Sequence, residues 1–271
     1  PSISNYLAEK NHIDIIRNYD DLIVKIDEEK INEEKEKAKI YNENLSGDPV
    51  HDPFVIGSGY ALPENYKEVL NVGDDGVMGY VEIPKISVYL PIYHGTSDEV
   101  LEKGVGHIQN TSVPIGGKST HSVLTGHTGL PNAELFTRLD ELGIGDIFYI
   151  HVLDDVLTYK VFETKVILPD KIDELQILNG KDYITLVTCT PYGVNSHRLL
   201  VKAERVEYEE YSVTKSTTDE EGTDTKKESP SKHYYLTGTQ IGIVLLVLIL
   251  TIVSIIGISI RRKKNICRIK K

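Results

Sequence analysis

The sequence predicts a mainly β domain, a barrel or a sandwich, set between an amphipathic helical N-terminal segment and a C-terminal transmembrane helix. Three observations predict it. Short alternating apolar runs separated by turn signals extend from Gly79 to Val206; apolar residues recur at helical spacing between Ile13 and Tyr41; and Ile241 to Ile260 is a stretch of twenty residues without a charge.

Between Ile13 and Tyr41, Ile15, Tyr19, Leu22, Ile23 and Ile26 return at three- and four-residue steps among many charges, so one helix face packs and the other is solvated. Ser46, Gly47, Asp48 and Pro49 end that pattern. Pro53 and Pro63 then keep the following HDPFVIGSGYALPEN stretch out of regular helix. Strands are predicted where Ile86, Val88, Leu90 and Ile92 alternate, and at Ser122 to Thr125, Ile147 to Leu153, Val156 to Leu168, Tyr183 to Cys189 and Arg198 to Val206. Helical interruptions are expected at Asp98 to Lys103, Ala133 to Leu139 and Ile172 to Leu178. Glu207 to Lys232, rich in Ser, Thr, Asp, Glu and Lys, reads as a solvated tether.

In a helix, Ile241 to Ile260 would cover about 30 Å, the hydrocarbon thickness of a bilayer. Seven of the last eleven residues are Arg or Lys, which puts that tail in the cytoplasm and the rest of the chain outside. Pro1 opens the sequence without the charged, apolar and small-residue order of an export signal. A cleaved signal or a second membrane segment is therefore expected upstream of it.

Composition narrows the classes. Of 271 residues 40% are apolar and two are cysteine, which excludes a wholly disordered chain, a collagen-like fibre and a disulfide scaffold. The net charge of −11, which is +7 on the last eleven residues and −18 on the rest, excludes nucleic acid as a default partner. Cys189 and Cys267 fall on opposite sides of the membrane and cannot pair within one chain.

Cys189 ends the strand-like run TLVTC and precedes the turn residues Thr190, Pro191, Tyr192 and Gly193, so its thiol sits at a strand end beside a loop. A lone cysteine is most often a small buried hydrophobe. An exported position without a partner thiol favours a nucleophile instead. A thiol reacts as the thiolate, and a nearby cation raises that fraction. Arg198 is nine residues on, and a chain reversal after Cys189 would return it beside the thiol; otherwise it is a surface arginine among acids. Candidates for a general acid or base are His94, His107, His121, His127, His151 and His197. His127 stands out between two glycines in TGHTGLP, just past a strand. Asp74-Asp75 and Asp154-Asp155 read as solvated turns, and no spacing suggests zinc or a phosphate loop.

TLVTC with an arginine nine positions later and TGH far upstream resembles the sortase family, cysteine transpeptidases of Gram-positive cell surfaces. GYVEIPKI, LPIYHGT, GVGHIQNTSVPIGG, LTGHTGLPNAELFTRLDEL and TLVTCTPYGVNSHRLLVKAER together resemble class C, the pilus-assembling sortases. The resemblance covers about Asp48 to Val206. It implies a β-barrel of about eight strands with short helices, Cys189 as nucleophile, His127 as general acid/base and Arg198 as the group that stabilises substrate and oxyanion. Asp52, Pro53 and Phe54, after His51, resemble the class C lid that occupies the groove; by residue type alone they form a turn.

The implied domain order is a helical region at 1–45, a lid segment at 46–65, the catalytic barrel at 66–206, a tether at 207–240, the membrane helix at 241–260 and a basic tail at 261–271. The implied partners are the membrane and pilin subunits carrying an LPxTG-like sorting signal and an acceptor lysine, with no nucleic acid and no metal or organic cofactor. The alternatives are a sortase that anchors surface proteins to peptidoglycan, a hydrolytic cysteine protease, and an anchored binding module with an inert cysteine.

Overall fold

The computed structural model describes residues 2–45, 65–130 and 133–207. The lid residues Asp52, Pro53 and Phe54, the tether, the apolar stretch 241–260 and the basic tail lie outside the described residues. None of the described helices is long and apolar enough to cross a membrane.

Helices α1 (Ser2–Lys25) and α2 (Glu28–Glu43) occupy the N-terminal segment. The continuous periodicity from Ile13 to Tyr41 is thus two helices, and the break has a local cause. Asp27 takes extended backbone and its carboxylate accepts the Lys30 N–H at 2.8 Å, an N-cap that starts a new helix. On α1, Ile16 and Tyr19 pack against Val77, Tyr80 and Tyr93. The Tyr19 hydroxyl accepts the Leu153 N–H at 2.7 Å and donates to the Met78 carbonyl, tying the helix to one strand and to a turn between two others. Ile31, Ala38 and Tyr41 of α2 join the main core, and the Asn42 amide takes both backbone groups of Val113.

Eight strands follow: β1 (Val77–Ile83), β2 (Val88–His94), β3 (Val105–His107), β4 (Thr120–Thr125), β5 (Ile147–Val152), β6 (Asp155–Ile167), β7 (Asp182–Thr190) and β8 (His197–Val206). They close into a barrel in the order β1-β2-β3-β4-β7-β8-β6-β5, which leaves no free sheet edge. The barrel is the mainly β class that the alternation implies. Pairs β2–β3 and β4–β7 are parallel and the remaining ladders antiparallel. Ile86 belongs to a 3-10 turn, Pro84–Ile86, rather than to a strand. Helix α3 (Asp98–Lys103) is capped by Ser97, whose hydroxyl accepts the Val100 N–H. The interruption expected at Ile172 to Leu178 is a 3-10 turn, Ile172–Leu175, whereas the one expected at Ala133 to Leu139 is not helical up to residue 138 and leads into a 3-10 turn, Leu139–Glu141.

Period-two alternation sends Leu124, Ile184, Leu186, Leu199, Val201 and Ala203 into the barrel. Their neighbours Val123, Val187 and Leu200 face outward. With Ile108, Ile167 and Leu175 they form a second, smaller core on the outer face of β4, β7, β8 and β6.

Candidate active site

Cys189 shares the outward-facing parity of Val187 on β7, and Arg198 that of Leu200 on β8. The two strands are antiparallel with Cys189 directly opposite Arg198, so the turn after Cys189 does return the arginine beside the thiol. Side chains directly opposite across a ladder have Cβ atoms about 4.5–5.5 Å apart. Within the turn, the N–H groups of Val194 and Asn195 both bond the Pro191 carbonyl. Arg198 Nη1 donates to the carbonyls of Asn195 and His197, each at 3.1 Å, which fixes one side of the guanidinium. Both side chains are largely shielded, Cys189 at 8% and Arg198 at 5% exposure.

His127 arrives on the neighbouring strand. β4 runs parallel to β7 with Thr125 beside Val187. The pairing continues past the strand end, where the Gly126 N–H bonds the Val187 carbonyl at 3.1 Å and the Thr188 hydroxyl bonds the Gly126 carbonyl at 2.7 Å. Two residues beyond Thr125 and Val187, that register sets His127 beside Cys189. Arg198, Cys189 and His127 therefore form a row across β8, β7 and the end of β4.

The loop that carries His127 is held from several sides. The His127 carbonyl accepts the Phe136 N–H at 3.0 Å, and the Gly129 N–H donates to the Thr137 hydroxyl at 3.1 Å. Glycine is required at both ends of GHTG. A Cβ on Gly126 would stand 2.9 Å from the buried Phe136 ring, and one on Gly129, where φ is +77°, would stand 2.8 Å from the Tyr192 ring. Tyr192 belongs to the turn after Cys189, so that turn and the loop carrying His127 lie against each other.

Burial lowers the His127 pKa below the ordinary 6.5, while the carboxylates of Asp98 and Glu102 on α3 act in the opposite direction. The imidazole is therefore mostly neutral near neutral pH, competent to accept a proton, with a smaller protonated fraction to donate one. These two acids are absent from any sequence reading of the site. The one available signal is their i, i+4 spacing on a Ser-capped helix.

The remaining histidine candidates have structural partners. His107 is fully buried, takes the Tyr66 hydroxyl on Nδ1 and donates Nε2–H to the Ser112 carbonyl; burial pushes its pKa down to about 3. His121, pushed down by burial to about 4, donates Nδ1–H to the Gln176 carbonyl and meets the Thr185 hydroxyl at Nε2. His94 bonds the Gly76 and Val69 carbonyls. His151 stacks on Tyr80 and meets Glu82 at 3.0 Å. His197 contacts Ser196. Asp154 and Asp155, read as a solvated turn, both pair with Lys35 of α2. Among the described residues no group of three or more His, Cys, Asp or Glu side chains could hold a metal ion.

The part of the chain that matches known proteins includes His127, Cys189 and Arg198. The family described as Sortase domain matches residues 81–206. Sortase D of Bacillus subtilis is 33% identical over 131 residues, covering 47% of this chain and 63% of its own length. The chain thus spans just under two thirds of that relative. Sortase A of Bacillus anthracis is 30% identical over 155 residues, 56% of this chain and 71% of that protein. Among solved structures, sortase C of Streptococcus pneumoniae superposes with a TM-score of 0.67 at 42% identity, covering 72% of this chain and 97% of that one. At these levels of identity and coverage, with an eight-stranded barrel in common, the chain belongs to the sortase family of cysteine transpeptidases.

Proposed function

We propose that this protein is a membrane-anchored transpeptidase that cleaves an LPxTG-like sorting signal through a thioester on Cys189 and passes the acyl group to a lysine amine of the next pilin subunit. The observation that carries the reading is the pairing of Cys189 with Arg198 across β7 and β8, with His127 brought alongside by the parallel β4. The crystal structure of the Streptococcus pneumoniae relative bears on pilin substrate specificity, which favours a pilin here over a cell-wall acceptor. Anchoring rests on the uncharged stretch Ile241 to Ile260 and the basic residues after it.

In this mechanism the Cys189 thiolate attacks the threonine carbonyl carbon of the sorting signal. Arg198 meets the negative charge that develops on the carbonyl oxygen. The Thr–Gly C–N bond breaks as protonated His127 gives its proton to the departing amine, leaving a thioester and neutral imidazole. The acceptor ε-amine then attacks the thioester, loses a proton to His127 and expels the thiolate, which forms an isopeptide bond and restores the starting state. Asp52, Pro53 and Phe54 serve as a lid: Asp52 offers a carboxylate to Arg198 and Phe54 an aromatic face to the Cys189 sulfur, so substrate must displace both.

Intact-mass spectrometry after incubation with an LPxTG-type peptide tests the proposal. A peptide adduct that is labile to hydroxylamine and absent in Cys189→Ala is expected. With a lysine-bearing pilin domain added, covalent multimers should follow. No adduct from native or lid-substituted protein across several peptides would reject it.

A further inference from the structure

The face of the sheet that presents Arg198 and Cys189 also holds down a chain segment that the chemistry does not use. Following the strands away from the catalytic row, the same face shows Leu200 and Lys202 on β8, Val187 and Thr185 on β7, and Val123 and His121 on β4. On β6 it shows Glu163, Lys165 and Ile167. The connection from β6 to β7, residues 168–181, folds over this surface and is fastened at three consecutive positions.

Glu174 makes the first fastening. One of its carboxylate oxygens pairs with Lys165 Nζ and the other with Lys202 Nζ at 3.1 Å. Lys202 is 12% exposed and also meets Glu163 at 3.1 Å, so its ammonium depends on these carboxylates for compensation. Leu175 makes the second, inserted among Val123, Ile167, Val187 and Leu200. The third is the Gln176 carbonyl, which accepts His121 Nδ1–H at 2.9 Å. Val187 and Leu200 lie two residues from Cys189 and Arg198 on the same strands, and Ile167 pairs directly with Arg198. The fastened segment thus borders the Arg198–Cys189 end of the catalytic row, and an extended peptide presented to Cys189 from that side must run against it.

We infer that Glu174 is a positioning residue: its bridge to Lys165 and Lys202 latches the β6–β7 connection as a fixed wall of the peptide groove. The inference rests on the transpeptidase reading above and adds a residue to it. Because the latch acts on the wall and not on the row, it governs how well peptide seats and leaves the intrinsic reactivity of Cys189 alone. Two lysines on two strands make it bidentate, so loss of Lys165 alone weakens it while loss of the Glu174 charge opens it.

Steady-state transpeptidation by the full-length protein in detergent, with an LPxTG-type peptide and a small amine acceptor, separates the possibilities. Glu174→Gln and Lys202→Met should each raise KM on the order of fivefold or more while kcat stays within about twofold, with Lys165→Met intermediate. Alkylation of Cys189 by iodoacetamide should proceed at the native rate in all three. Amide hydrogen exchange over residues 168–181 should quicken in Glu174→Gln and stay native in the barrel strands. An unchanged KM in both Glu174→Gln and Lys202→Met, a fall in kcat matched by slower alkylation, or unchanged exchange would overturn the latch. Absence of peptide turnover by the native protein would instead reject the transpeptidase reading, and the groove role with it.

Discussion

Arg198 faces Cys189 across one rung of the β7–β8 ladder, and carbonyls of its own turn, those of Asn195 and His197, hold its guanidinium. The cation is therefore placed before substrate arrives, the condition under which a charge stabilises a developing oxyanion without reorganising. Arg198→Ala is expected to reduce kcat/KM by about 10²- to 10³-fold. Arg198→Lys should recover little of it, since a single ammonium cannot bond two carbonyls and still present a planar face. Peptide turnover by the two variants against native protein checks both.

His127 should titrate below an ordinary histidine, because burial disfavours its charged form. The carboxylates of Asp98 and Glu102 favour the imidazolium, so Asp98→Asn and Glu102→Gln should each lower the value further. Ring-proton chemical shifts followed from pH 4 to 8 in Cys189→Ala protein provide the measurement. A shift upward in either variant would contradict the assignment of α3 as a source of negative potential at the site.

Gly126 admits the Phe136 ring, and Gly129 admits the Tyr192 ring at a positive φ. Gly126→Ala is expected to cost about 1–3 kcal/mol through overpacking of a closed site, visible as a melting temperature several degrees lower. Gly129→Ala should cost about 1 kcal/mol from the positive φ alone, with the exposed Tyr192 ring able to yield, and should lower turnover further by moving the His127 loop off the turn after Cys189. Calorimetry and peptide turnover on the same samples distinguish the two effects.

Acid should weaken the fold through two other histidines. His107 and His121 are buried and neutral, with values pushed down to about 3 and about 4. In the unfolded chain each titrates near 6.5, so below that pH the unfolded state binds protons that the folded state refuses. Their contribution is complete above about pH 6.5 and is lost progressively as pH falls towards the folded values. Denaturant unfolding at pH 7.5, 6 and 5 should show decreasing stability, with a shallower decline in His121→Gln.

Alkylation of Cys189 reads the lid. If Asp52 and Phe54 occupy the groove, Asp52→Ala and Phe54→Ala should both accelerate iodoacetamide labelling in the absence of substrate. Native labelling rates in both variants would remove the lid from the mechanism.

Much of this site was legible in the sequence because its key contact is local. Eight residues, among them Pro191 and Gly193, separate Cys189 from Arg198, a hairpin whose register short-range signals set. Helix α3 falls at Asp98–Lys103 as expected, since a serine cap and an acidic first turn mark its start. Other features depend on distant chain. The parallel β4–β7 pairing that delivers His127 joins residues about sixty positions apart, and only the family resemblance links them beforehand. Asp98 and Glu102 act on His127 through space, from an element whose own pattern describes only a short exposed helix. β1 and β3 escape alternation because one is broken by Gly79 and the other is three residues long around Gly106. Asp27 passes for one more charge in a charged helix until its carboxylate is seen on the Lys30 N–H.

Strand β6 changes allegiance along its length. Up to Val161 its alternate residues Leu157, Tyr159 and Val161 fill the barrel; past an irregularity between Val161 and Glu163, the same parity carries Glu163, Lys165 and Ile167 on the outside. One additional residue has therefore turned a single strand into two tools, a stave of the barrel at one end and a bracket for the reactive surface at the other. Removing that residue would restore unbroken alternation and turn Glu163 and Lys165 to the opposite face, stripping the outer face of its hold on the β6–β7 connection. The barrel's closure and the shape of its working surface are accordingly inherited together: drift in the length of this strand alters both at once.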